Sequence, residues 1–90
     1  MLKIRSSNRF KRDLKSIAKR GYKLSLLEKV IDQLAQQNPL DERHHDHTLS
    51  GEYSGFRECH ITPDWLLIYQ IQENELILLL ARTGTHSDLF

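Results

Sequence analysis

Three of the five histidines in this chain stand beside residues suited to phosphate chemistry. His47 follows Asp46, His60 precedes the segment Pro63-Asp64-Trp65, and His86 ends the run Arg82-Thr83-Gly84-Thr85-His86 shortly before Phe90. Imidazole moves protons near neutral pH because its unperturbed pKa is about 6.5. A guanidinium offers a planar fork of donors that matches phosphate oxygens. Several histidines with an arginine in so small a domain point to a ribonuclease-type site.

Each group taken alone also has a structural explanation. Arg82 ends an apolar stretch and shares its parity with Leu76, Leu78 and Leu80. At a sheet's rim it either holds a phosphate or faces solvent. Gly84 permits a bend that returns His86 beside Arg82; otherwise His86 frays with the terminus. Asp64 can fix the tautomer of His60 and raise its basicity, as general-base catalysis requires, or it is a turn residue after Pro63. Trp65 and Tyr69 share a parity, and either stack nucleobases or pack as core aromatics. The run His44-His45-Asp46-His47 has ligand types suited to zinc or nickel. No helical His-x-x-x-His and no paired cysteines accompany it, so no metal is assigned. Cys59 reads as a small buried residue without chemistry.

The elements that must position these groups are legible from periodicity. Leu2-Lys3-Ile4-Arg5 alternates apolar and basic residues, as an edge strand does. Ser6, Ser7 and Asn8 offer N-cap oxygens to a helix whose Phe10, Leu14 and Ile17 form one stripe. Arg12, Lys15 and Lys19 lie opposite that stripe, with Lys11 on its flank, and Gly21 is placed to end the helix. Ser25-Leu26-Leu27-Glu28 has the form of a capping box. It opens a second helix with Leu27, Val30, Ile31 and Leu34 on one face, stopped by Asn38-Pro39.

Residues 40–55 are polar and read as one long loop, of a length that is often functional. Strands follow at 56–61, 65–71 and 76–82, with turns at Thr62-Pro63-Asp64 and at Gln72-Glu73-Asn74-Glu75, which predicts an antiparallel meander. The last two strands are apolar at nearly every position. That predicts cover on both faces, by the helices on one and by something else on the other. The order of elements predicts a two-layer α+β domain, in which the N-terminal strand completes a four-stranded sheet against a two-helix hairpin.

Ninety residues leave room for a single core. The lone cysteine excludes a disulfide framework and suits a reducing compartment. No apolar run approaches the ~20 residues of a membrane span, and the opening Met-Leu-Lys-Ile-Arg-Ser lacks the character of a signal peptide. A cytoplasmic location is expected. The net charge of +1 conceals a division: residues 1–23 hold nine Lys and Arg against one acid, Asp13, whereas residues 24–90 hold four against eleven. Such asymmetry marks either a face that meets a polyanion or a solvated helix surface.

Taken together, Asp46-His47, Gly55-Phe56-Arg57-Glu58-Cys59-His60, Pro63-Asp64-Trp65 with Leu67-Ile68-Tyr69, and the ending Arg82-Thr83-Gly84-Thr85-His86-Ser87-Asp88-Leu89-Phe90 resemble the YafQ branch of the RelE toxin superfamily. The likeness spans nearly the whole chain. It implies a RelE-like fold and a metal-free endoribonuclease toxin, one that cleaves mRNA on the translating ribosome and is held inactive by a cognate antitoxin. The toxin alone would be monomeric, and the antitoxin would form a hetero-oligomer with it, covering the apolar sheet and the basic surface. Carried over by position, His47, His60, Asp64 and His86 form the acid–base set, Arg82 steadies the phosphate, and Trp65 and Phe90 bind or position the RNA. His60 supported by Asp64 would be the base, with His47 sharing that task or orienting the RNA, and His86 would be the acid. Lys11, Arg12, Lys15 and Lys19 would contact ribosomal RNA backbone. The neighbours His44 and His45 receive no role. Three other readings compete: a ParE-like toxin of the same fold that targets gyrase without cutting RNA, a metal-dependent hydrolase built on His44–His47, and a purely structural or binding module derived from an inactivated toxin.

Overall fold

The computed structural model describes residues 1–90. Strand β1 (Lys3–Ser6) leads into helices α1 (Asn8–Lys19) and α2 (Leu24–Ala35). The short strand β2 (His47–Thr48) then precedes β3 (Arg57–Thr62), β4 (Trp65–Gln72) and β5 (Ile77–Gly84), and the chain closes with helix α3 (His86–Leu89). Ser7 caps α1, its side chain accepting from the Phe10 amide, and Gly21 follows the helix at a φ of 82°, as the sequence leads one to expect. The start of α2 differs. Lys23 is its N-cap, without a side-chain hydrogen bond, and the Ser25–Glu28 capping box does not form. Leu24 packs against the core, and this draws the helix start two residues earlier.

The sheet has five strands, not four, in the order β1-β5-β4-β3-β2. β1 runs parallel to β5, and the remaining pairs are antiparallel. The additional strand lies inside the segment read as loop, where His47 and Thr48 pair with Glu58 and Arg57. It is pinned by Asp46, which accepts from the Arg57 guanidinium at 3.2–3.3 Å and from the Tyr69 hydroxyl at 2.5 Å. Helix α3 is likewise additional to the expected elements. Thr85 and Asp88 close it as a reciprocal capping box, and the Thr-x-x-Asp spacing was the available signal.

Both faces of the central strands are covered. On one, Trp65, Leu67, Tyr69, Leu78 and Leu80 join Phe10, Ile17, Leu27, Val30 and Leu34 of the helical hairpin in the main core. On the other, Leu66, Ile68 and Leu89 are buried beneath Leu49, Tyr53, Phe56 and Ala81. The second cover is therefore the chain itself, through the 49–56 segment and α3, at about 1.5–3 kcal/mol for each large apolar side chain buried. No apolar sheet face remains for an antitoxin to cover, which corrects that expectation. No helix is long and apolar enough to cross a membrane.

Candidate active site

Pairing across the sheet places the chemistry on the face away from the hairpin. Directly opposed residues of antiparallel strands share a face. One row runs His47, Glu58, Ile68, Arg82, and the next runs His60, Leu66, Gly84. Because Leu66 and Ile68 belong to the second core, both rows lie on its face. His86 follows Gly84 at the start of α3, so the three candidate histidines converge from strands β2 and β3 and from helix α3.

A β-bulge makes this possible. Tyr69 opposes Leu80 whereas Ile68 opposes Arg82, so Ala81 is an extra residue in β5. Simple alternation would put Arg82 on the hairpin face with Leu78 and Leu80. The extra residue moves it to the face of the histidines. The Ser7 hydroxyl donates to the Ala81 carbonyl at 2.7 Å and ties the bulge to the start of α1.

The ring centroids form a chain, with His47 and His60 6.4 Å apart, His60 and His86 5.8 Å, and His86 and Phe90 6.4 Å. Phe90 in turn meets Tyr53 edge-on at 5.9 Å, and it is 64% exposed. Hydrogen bonds orient each imidazole. His60 Nδ1 faces the Pro63 carbonyl at 3.2 Å and His47 Nδ1 the His45 carbonyl at 2.6 Å. A carbonyl only accepts, so both rings carry a proton on Nδ1. His47 Nε2 lies 3.2 Å from Glu58 Oε2, and both of its contacts are satisfied together when the ring holds both protons. His86 Nδ1 lies 3.3 Å from Asp64 Oδ1. The Nε2 atoms of His60 and His86 have no protein partner.

Three sequence-based expectations change here. Asp64 supports His86 and not His60, because the turn at Pro63 gives His60 a backbone carbonyl instead. Arg82 is not an open rim arginine. Its Nε and Nη2 donate to the two oxygens of Asp13 at 2.7 and 3.0 Å, its side chain is 14% exposed, and the Asp13 contact foremost holds its pKa above the ordinary arginine range. Trp65 is 1% exposed, sits edge-on to Tyr22 at 5.2 Å and donates to Thr83 Oγ1 at 2.9 Å, so it cannot stack on a base. Thr83 passes the bond on to the Leu66 carbonyl, which makes Trp65 a support beneath the site.

The sequence reading also missed members. Glu58 is buried beside His47. His44 donates from Nδ1 to the His60 carbonyl at 2.7 Å, and the His45 ring lies 5.5 Å from that of His60, so both border the site. The 3₁₀ turn Glu42–His44 and the left-handed His45 bring them there. The sequence carried their residue types but not their placement. No three histidine, cysteine, aspartate or glutamate side chains are gathered as metal ligands.

The profile of YafQ, described as a bacterial toxin of type II toxin–antitoxin systems, matches residues 2–90. The mRNA interferase toxin YafQ of Escherichia coli K12 is 35% identical over 88 residues, covering 97% of this chain and 94% of that protein. A putative toxin YafQ of Haemophilus influenzae is 41% identical over 91 residues, covering 96% and 89%. Among solved structures, a metal-bound toxin from Helicobacter pylori superposes with a TM-score of 0.94 at 49% identity, covering all of both chains. YafQ in the E. coli DinJ–YafQ toxin–antitoxin complex gives 0.89 at 34% identity, covering 99% and 97%. A match in sequence and fold along the whole length establishes that this chain belongs to the YafQ family of bacterial type II toxin–antitoxin toxins.

Proposed function

We propose that the protein is a ribosome-dependent endoribonuclease that cleaves mRNA by acid–base chemistry without a metal and is neutralised by an antitoxin. One observation carries this reading. His60 and His86 lie 5.8 Å apart with both Nδ1 atoms engaged, which leaves two unpartnered Nε2 atoms on one face beside the arginine row. A base and an acid so placed can reach the attacking and leaving oxygens of a single phosphate.

His60 Nε2 takes the proton of the substrate's 2′-hydroxyl, whose oxygen attacks the adjacent phosphorus. Arg82, held by Asp13 and flanked by the Tyr53 hydroxyl, stabilises the charge that develops on the phosphoryl oxygens. His86, protonated at both ring nitrogens against Asp64, gives its Nε2 proton to the departing 5′-oxygen. The products are a 2′,3′-cyclic phosphate and a 5′-hydroxyl. His47, held in place by Glu58, orients the RNA, and exposed Phe90 offers a ring to a base. Lys11, Arg12, Lys15 and Lys19 supply backbone contacts on the ribosome.

His86→Gln should slow cleavage of translated mRNA by about 10²- to 10⁴-fold while antitoxin binding persists; a fully active variant overturns the assignment. The metal-bound H. pylori relative motivates the one alternative, a metal-assisted reaction. Cleavage that survives EDTA supports the side-chain mechanism, and cleavage lost in EDTA and restored by a divalent ion favours the alternative.

A further inference from the structure

Two ion pairs join α1 to the catalytic edge, and the reaction assigned above uses neither directly. Asp13 accepts from both Nε and Nη2 of Arg82, and also from the Thr83 amide at 3.2 Å. Arg20, two helical turns further on, donates to Asp88 Oδ2 at 2.8 Å and lies 5.1 Å from the Tyr22 ring. Asp88 in turn accepts from the Thr85 amide and closes the capping box of α3, the helix that carries His86. Asp13 and Arg20 both line one cleft of about 220 Å³ with Arg82 and Asp88.

The topology explains why these contacts are needed. β1 pairs with β5 only as far as Leu80. Beyond that point β5 has no strand on this edge, and its Thr83 amide would lack a ladder partner. The Asp13 carboxylate takes the place of the missing strand. It is the only acid among the first 23 residues, in a segment otherwise basic, and its side chain is 16% exposed. An arginine held by two parallel hydrogen bonds has one orientation. With Nε and one Nη2 proton used by Asp13, the outer edge of the guanidinium, beside the Tyr53 hydroxyl, is turned toward a phosphate.

We propose that Asp13 and Arg20 are positioning residues for the cleavage reaction: Asp13 aims Arg82, and Arg20 holds α3 so that His86 meets the same phosphate. The proposal rests on the ribonuclease reading. It makes the basic helix that docks on RNA also the element that aligns the two groups acting on the phosphate, so docking and alignment share one rigid body.

The test is cleavage of mRNA on programmed ribosomes by wild type, Asp13→Asn, Arg20→Gln and Arg20→Lys, with thermal unfolding followed on each. Asn keeps the size of Asp13 but gives up its charge and the double acceptor. Asp13→Asn should lower kcat by about 10- to 100-fold with KM within about twofold of wild type. Arg20→Gln should lower kcat by a smaller factor, and Arg20→Lys should restore it, since a single donor to Asp88 suffices. If Asp13→Asn and Arg20→Gln retain wild-type kcat, or if both lose activity only in proportion to the unfolded fraction, the proposal is overturned while the ribonuclease reading stands. A folded wild type that does not cleave overturns that reading, and this inference with it.

Discussion

Glu58 is hard to account for by folding alone. Its side chain is 6% exposed, Oε1 has no hydrogen-bond partner, and its ion-pairing contact is the His47 imidazole, 3.2 Å from Oε2. An unpaired buried carboxylate oxygen costs about 1–3 kcal/mol or more, so the residue is kept against stability. Glu58→Gln should therefore leave the midpoint of chemical denaturation unchanged or raised, because a buried charge is exchanged for a neutral group of the same shape. The same change should slow cleavage by about 10- to 100-fold, as His47 loses the partner that fixes it. A variant that is less stable yet fully active would make Glu58 purely structural. Cys59, next in the chain, is the opposite case. Burial foremost, then the Asp46 and Glu58 carboxylates, pushes its thiol far above the ordinary range. Iodoacetamide should label it at pH 8 only after unfolding; labelling of the native protein contradicts this account.

At the scale of elements, α3 is the part most exposed to perturbation, since four residues cannot hold a helix unaided. Its anchor, Asp88, is held below the ordinary carboxylate value of 3.8 by the Thr85 amide first and then by Arg20. A depressed folded-state pKa contributes stability above 3.8, lost as pH falls below it toward the folded value. The ring signals of His86 and Phe90 should thus show α3 loosening below about pH 4 before the core unfolds, and Asp88→Asn should remove that step. Gly84 is the second anchor, because a methyl group there would sit 2.9 Å from Asp88 Cβ. Gly84→Ala should abolish most cleavage and cost about 1–3 kcal/mol of stability; an active, equally stable variant would show that α3 can shift freely. These elements also mark how far the sequence can be read. Helix stripes, the meander and the Ser7 cap follow from local periodicity, and α3 was legible in Thr85-x-x-Asp88. The bulge at Ala81 was not, because it arises from strand pairing and a hydrogen bond from Ser7, 74 positions away. The same holds for Arg82 and Asp13, which are 69 positions apart. The residue types that gather at the candidate site were readable, while their choice of partners depended on contacts that no spacing encodes.

At the scale of the whole molecule, the division of charge becomes a geometry. Lys11, Arg12, Lys15 and Lys19 are exposed along α1, whose inner side carries Asp13 to Arg82. Lys19, in the last turn, complements the helix dipole, but Lys11 and Arg12 at the other end do not. The first turn of α1 contains no acid, whereas a helix N-terminus favours negative charge by about 0.3–1 kcal/mol per group. A polyanion partner gives the arrangement a reason. Each phosphate neutralised by a lysine or arginine releases counterions, so the logarithm of affinity falls with the logarithm of salt by about 0.7–0.9 per contact. Replacing Lys11, Arg12, Lys15 and Lys19 together by glutamine should flatten the salt dependence of ribosome association by about 3 in slope. Binding should weaken most at low salt, while the unfolding midpoint stays close to wild type. Lys29 on α2 is an exposed control outside this face, and Lys29→Gln should leave the slope within error. If the fourfold variant keeps the wild-type slope, α1 is not the docking surface, and the charge division of the sequence marks only a solvated helix.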